Sequence, residues 1–182
     1  MSTEQARTVV ALLANPPTTS GARTRAKASQ AADLLGGGRL IIANLFGLPT
    51  ADLPSLSHCG SSPAGWRAAR PKLIRALQEA DCLVAAWGLH PLCGDARRLR
   101  QEQLTWLQEQ ASKNGLLHAW CVGGQPRHPS RWHQYVSDRH GRTTGGIFSD
   151  RLDQVLVRLP MQVLTSPHAQ RSREMLAPDA AS

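Results

Sequence analysis

The sequence predicts an α/β fold on a mainly parallel sheet, and three observations carry that expectation. Short apolar runs of strand length alternate with longer stretches of helical periodicity. Each run ends in turn or loop residues, the pattern of strands joined through helices. At 182 residues the chain can bury one sizeable core but not two independent catalytic units. A single domain over residues 1–165 is expected, with a polar, Ala-rich tail over 166–182 that reads as disordered.

Four strands are expected, at residues 8–14, 40–43, 82–86 and 116–122. Between the first two, residues 24–35 are Ala-rich and helical, with Gly36, Gly37 and Gly38 as a stop. A second helix over 64–80 brings Trp66, Ile74 and Leu77 within reach of one face. The third, over 95–113, is the clearest: Leu99, Leu104, Leu107 and Ala111 form its apolar stripe. Its first turns carry Arg97, Arg98 and Arg100, which oppose the helix dipole and so read either as ligand-facing or as a solvated face. Residues 127–146 are dense in His, Arg and Gly and read as a functional surface loop. A last helix is expected over 149–159, started by Ser149 and Asp150 and stopped by Pro160, with Leu152, Val155, Leu156 and Leu159 buried.

Twenty-one Lys and Arg against thirteen Asp and Glu give a net charge of +8, and eighteen of the cations are Arg. Arginine forks onto phosphate with two parallel hydrogen bonds, which favours a polyanionic partner. Solubility alone explains many basic proteins, so a site has to decide. No apolar run approaches the roughly 20 residues of a membrane span, and the N-terminus is polar, so a cytoplasmic protein without membrane contact is expected. Cys59, Cys82, Cys93 and Cys121 are spread singly, which favours reduced thiols and no metal site.

Open parallel sheets bind ligands at the carboxyl ends of their strands. The residues there are polar and distinctive: the stretch from Asn15 to Gly21 after the first run, Asn44-Leu45-Phe46 after the second, Trp87-Gly88 after the third, and Gly123-Gly124-Gln125-Pro126-Arg127-His128-Pro129-Ser130 after the fourth. Asn15, Asn44 and His128 could share one pocket. Singly, each has a plain explanation: Asn15 before proline starts a turn, Asn44 caps a loop, Trp87 fills core, and His128-Pro129 is a rigid bend.

In this order, Asn15, Asn44, Trp87-Gly88 and His128-Pro129-Ser130 resemble the strand-end motifs of the uracil-DNA glycosylase superfamily. Over roughly residues 9–130 the chain is also similar to a bacterial family of unknown function that shares the Asn-Pro, Asn-Leu-Phe, Ala-Trp-Gly and Gly-Gln-Pro-Arg-His-Pro segments. The resemblance implies a three-layer α/β/α sandwich around a central four-stranded sheet. It further implies a monofunctional DNA glycosylase that hydrolyses the bond between a flipped-out base and its sugar and leaves an abasic site.

On that resemblance His128 donates a hydrogen bond to a base carbonyl and Asn15 holds the water. Asn44 reads the base edge, Phe46 or another loop residue stacks on the base, and Pro16 and Thr18 complete the base-binding loop. Arg127, Ser130, Arg131, Arg139 and Arg142, with Arg97 and Arg98, would meet DNA. Trp132 occupies the place of the superfamily's duplex wedge, although packing in the domain explains it equally. No cofactor is implied, the partner is single- or double-stranded DNA, and a monomer is expected.

One departure bears on the substrate. The first motif lacks the Gly-Gln-Asp-Pro-Tyr run of uracil enzymes, so its Asp and Tyr are missing; Thr18, Thr19, Ser20 and Gly21 leave more room. A pyrimidine with a bulky 5-substituent, as in some viral genomes, is therefore the expected base, in defence or in repair. No Lys falls in the four motifs, which disfavours a Schiff-base lyase step. The main alternative is a non-catalytic nucleotide-binding domain of the same fold. A nucleophilic hydrolase using Cys93 and His90 is disfavoured, since the two are close in sequence and no Gly-x-Ser-x-Gly elbow occurs.

Overall fold

The computed structural model describes residues 6–137 and 146–166. In chain order the elements are β1 (Arg7–Leu13), α1 (Ala22–Leu34), β2 (Gly37–Asn44), α2 (Leu53–Cys59), α3 (Pro63–Glu79) and β3 (Cys82–Ala85). They are followed by α4 (Gly94–Lys113), β4 (His118–Val122), α5 (Pro129–Tyr135), α6 (Phe148–Val155), β5 (Leu156–Pro160) and α7 (Met161–Thr165). The tail expected from residue 166 falls almost wholly outside the described residues.

The sheet has five strands in the order β2-β1-β3-β4-β5, parallel except for β5, which runs antiparallel to β4. This corrects the expected four strands and shortens the expected last helix. Helix α6 ends at Val155, and Leu156 turns to extended backbone. Pro160 disfavours helical backbone in the residue before it, and the open edge of β4 offers the segment a full ladder from Val122↔Leu156 to His118↔Pro160.

Strand β1 is apolar on both sides because both faces of the sheet are covered. Val10 and Leu12 pack with Leu73 and Leu77 of α3 and Leu104 and Leu107 of α4. Val9, Ala11 and Leu13 pack on the other face with Ala28, Ala31 and Ala32 of α1, Trp132 of α5 and Leu152 of α6. The buried stripe of α3 is Trp66, Ala69, Leu73, Ala76 and Leu77. Ile74 lies one position off that stripe and is exposed, contrary to the sequence reading. Among the described residues no helix is long and apolar enough to cross a membrane.

One buried polar side chain ties the layers together. Gln103 of α4 is fully buried; its amide donates to the carbonyls of Leu45 (3.0 Å) and Trp66 (3.1 Å), and its carbonyl accepts from Nε of Arg70 (3.0 Å). Gln103→Leu keeps the volume and strands these partners, so it is expected to cost about 2–4 kcal/mol in chemical denaturation. A midpoint equal to wild type would show that the network is dispensable.

The strand order places β1 between β2 and β3, so the chain leaves β1 toward one side of the sheet and β3 is added on the other. The loops at the carboxyl ends diverge there and leave a crevice.

Candidate functional site

A cavity of about 530 Å³ occupies this crevice, within the usual 300–1,000 Å³ of small-molecule sites. Asn15 enters it from the end of β1, Asn44 from β2, Trp87 and Gly88 from β3, and His128 and Ser130 from the start of α5. Asn15, Asn44, Trp87, Gly88, His128 and Ser130 thus share one cavity.

Asn15 directs its amide group at the carbonyls of Pro16 and Thr50, both at 3.0 Å. Both amide hydrogens are used, so the group it can offer a ligand or water is the Oδ1 acceptor. Three other polar atoms of cavity-lining residues are buried without a hydrogen-bond partner: Oδ1 of Asn44, Oγ1 of Thr50 and Nε1 of Trp87. Thr50 is 7% exposed and Trp87 2%. An unmet buried polar atom costs about 1–3 kcal/mol, and these three belong to residues that line one cavity.

His128 caps α5. Its Nδ1 accepts from the backbone N–H of Ser130 (3.2 Å) and lies 2.9 Å from the Ser130 hydroxyl. The ring hydrogen is thereby assigned to Nε2. Burial, then the positive charges of Lys27 and Arg131, push its pKa below 6.5. The side chain is therefore a neutral Nε2–H donor at neutral pH. Gly88 sets the neighbouring loop against it: its φ of +85° suits glycine, its N–H donates to the Pro126 carbonyl at 2.6 Å, and a Cβ there would stand 3.7 Å from Cβ of His128.

The structure adds residues that the sequence reading did not assign to the site. Arg100 lines the cavity and donates from Nη1 to the His90 carbonyl and from Nη2 to the Gly88 carbonyl, both at 2.8 Å. Burial lowers its pKa to about 10, and among the described residues no carboxylate pairs with it. Its position was legible: Arg100 follows Ala96 by four residues and precedes Leu104 by four, which puts it on the buried stripe. Arg97 and Arg98 lie off that stripe and outside the cavity. Arg97 donates to the Leu92 carbonyl (3.2 Å), and Arg98 pairs with Asp95 and Glu102. Asp52 brings a carboxylate from the loop before α2; it caps that helix by accepting from Ser55 N–H at 2.8 Å, and this bonding lowers its pKa.

One expected contact is corrected, and for Trp132 the core-packing alternative holds. Phe46 has no exposed surface; it meets Trp66 edge-on with ring centroids 4.9 Å apart and is covered by Gly65, so it cannot stack on a base in the cavity. Trp132 also has no exposed surface, packs on the sheet, and donates from Nε1 to the Arg127 carbonyl at 2.7 Å. A ring so held is core, not a duplex wedge. Helix α5 turns Ser130, Arg131 and His133 outward instead. Pro16 lines a separate hollow beside α3, and Thr18 is exposed outside the cavity. Arg127 stacks over the Tyr135 ring, 4.4 Å from its centroid. Arg139 and Arg142 lie outside the described residues. Cys93 is exposed and does not line the cavity that His90 lines, so the two form no nucleophile–base pair there.

A family model described as "Protein of unknown function (DUF1643)" matches residues 2–130. The chain belongs to this family. The DUF1643 match runs from before β1 into the start of α5 and includes every cavity-lining residue except Arg131. No curated protein and no solved structure matches the chain.

Proposed function

We propose that this chain is a DNA glycosylase that takes an extruded base into the cavity and hydrolyses its bond to the sugar. One observation carries the reading most: His128 is a neutral Nε2–H donor lining the same cavity as three partnerless polar atoms, on Asn44, Thr50 and Trp87. A base presents donors and acceptors along one edge, which is what such a set would satisfy. The ordered motifs that resemble the uracil-DNA glycosylase superfamily support the same assignment.

In this mechanism the C1′–N bond breaks with its electron pair staying on the base, and His128 stabilises the charge that gathers on a base carbonyl. A water held by Oδ1 of Asn15 adds its oxygen to C1′ and releases a proton, while the departing base takes one up. Asn44 selects the base. Ser20 and Gly21 line the cavity and Thr18 does not, so the room for a bulky 5-substituent rests on the first two. A modified pyrimidine remains the proposed substrate, with removal of viral modified DNA as the proposed role and repair as the alternative.

The decisive experiment is mass spectrometry of bases set free from DNA carrying uracil, thymine or bulky 5-substituted pyrimidines. Release of a 5-substituted base by the wild-type chain is expected. Release of none from any substrate would sink the reading. A second reading, a nucleotide-binding domain that does not cut, is favoured by one observation: Asp52, the carboxylate of the cavity lining, is engaged at the cap of α2. Tight nucleotide binding without release would select it.

A further inference from the structure

We infer that the N-terminus of α1, with Arg25, Arg100 and Arg131, forms a phosphate subsite of the cavity, so that its ligand is a nucleotide and not a bare base or nucleoside. The inference rests on the nucleobase reading of the cavity but not on bond cleavage.

The N-terminal end of α1 opens into the cavity through Gly21, Thr24 and Arg25. Helix starts carry partial positive charge and free N–H groups, which acidic side chains or a capping oxygen normally offset. Here the N-cap is Gly21, which supplies no side-chain acceptor, Ser20 Oγ accepts from the Ala22 N–H only at 3.4 Å, and the first turn holds no acid. It holds Arg23 and Arg25 instead. Gly21 is fixed in this place: its φ is +63°, and a Cβ would meet Cγ of Pro17 at 2.8 Å.

Charge at the site is unbalanced in the same sense. Among the described residues, Arg25, Arg100 and Arg131 line the cavity against one carboxylate, that of Asp52, which already serves α2. Arg100 is held by the Gly88 and His90 carbonyls, and with five N–H groups in its fork it retains donors beyond those two bonds. Arginines that line one cavity repel one another, and an anion bound among them relieves that repulsion.

A second observation points to a ligand independently of the helix. Thr50 and Trp87 line this cavity, both are more than nine-tenths buried, and each holds a buried polar atom that has no partner. Together the two features describe a molecule with a hydrogen-bonding end and an anionic end, and the volume of about 530 Å³ admits a nucleoside monophosphate. The phosphate can belong to a free nucleotide or to a polynucleotide.

Calorimetric titration of the full chain with thymidine, thymidine 5′-monophosphate, inorganic phosphate and a short thymidine oligonucleotide tests this. The monophosphate is expected to bind about tenfold or more tighter than thymidine, the worth of one or two charge-assisted hydrogen bonds. Arg25 and Arg131 are exposed, so Arg25→Gln and Arg131→Gln leave the fold intact. The double variant is expected to lose most of that advantage while thymidine binding stays unchanged. Displacement of the monophosphate by the oligonucleotide would assign the phosphate to a polymer; tighter binding of the free monophosphate would assign it to a nucleotide. Equal affinities for thymidine and its monophosphate, or an advantage that survives in the double variant, would overturn the subsite. Base release by a chain with equal affinities removes the subsite alone, whereas a phosphate preference without base release removes the glycosylase reading alone.

Discussion

His128→Ala is expected to slow base release by about 100- to 1,000-fold, the usual cost of removing a hydrogen-bond donor from a developing anion. The same substitution removes the cap of α5, worth about 1 kcal/mol, so a second variant is needed to separate chemistry from folding. His128→Asn serves, because Asn caps a helix start as well as His does here but cannot carry a donor as far into the cavity. The expected pattern is near-wild-type melting in His128→Asn with the rate still lost. A variant that melts normally and releases base at the wild-type rate would remove His128 from the mechanism.

The pH dependence follows from the same environment. Burial, Lys27 and Arg131 hold the folded pKa of His128 below the ordinary 6.5. The neutral donor therefore predominates at pH 6.5 and increasingly above it, and single-turnover rates should fall only on the acid side, through the lowered folded value. Stability moves in the same direction: the unfolded chain takes up the proton first, so this group's contribution is full above its unfolded pKa and is lost as pH falls through the folded one. An acid limb that persists unchanged in His128→Asn, or one centred above 6.5, would contradict a neutral donor.

Much of the site was legible because parallel strands place the chemistry at their carboxyl ends, so that Asn15, Asn44 and His128 could be read from where each apolar run stopped. The helices were legible where a stripe was long, as in α4. Arg100 stands on that stripe, but among Arg97, Arg98 and Arg100 the sequence does not tell the ligand-facing residue from the solvated ones until charge is placed by face; Arg97 and Arg98 bond elsewhere. Residues 156–159 suit a helix because Leu156 and Leu159 continue the spacing of Leu152 and Val155, and the open edge of β4 decides in favour of the strand. Asp52 and Thr50 reach the cavity from a loop whose path only tertiary structure defines.

The largest effect on stability should come from Trp132→Ala, because its ring is wholly buried between α1, α6 and the sheet. Loss of a buried Trp costs about 3–5 kcal/mol, a drop on the order of 10 °C in Tm for a domain of this size. Trp132→Phe keeps most of the volume and gives up the Nε1 bond to the Arg127 carbonyl, for a smaller loss of about 1 kcal/mol. The pair also tests the core assignment. A core residue gives a graded fall in Tm from Phe to Ala, with DNA affinity following stability, whereas a wedge would leave Tm unchanged and weaken DNA binding alone. Helix α5 carries His128 at its cap and Ser130 and Arg131 in its first turn, so a loosened Trp132 moves all three together. In Trp132→Phe, the milder variant, any fall in base release should therefore appear as weaker binding and slower chemistry at once, the signature of a misplaced helix and not of a missing contact.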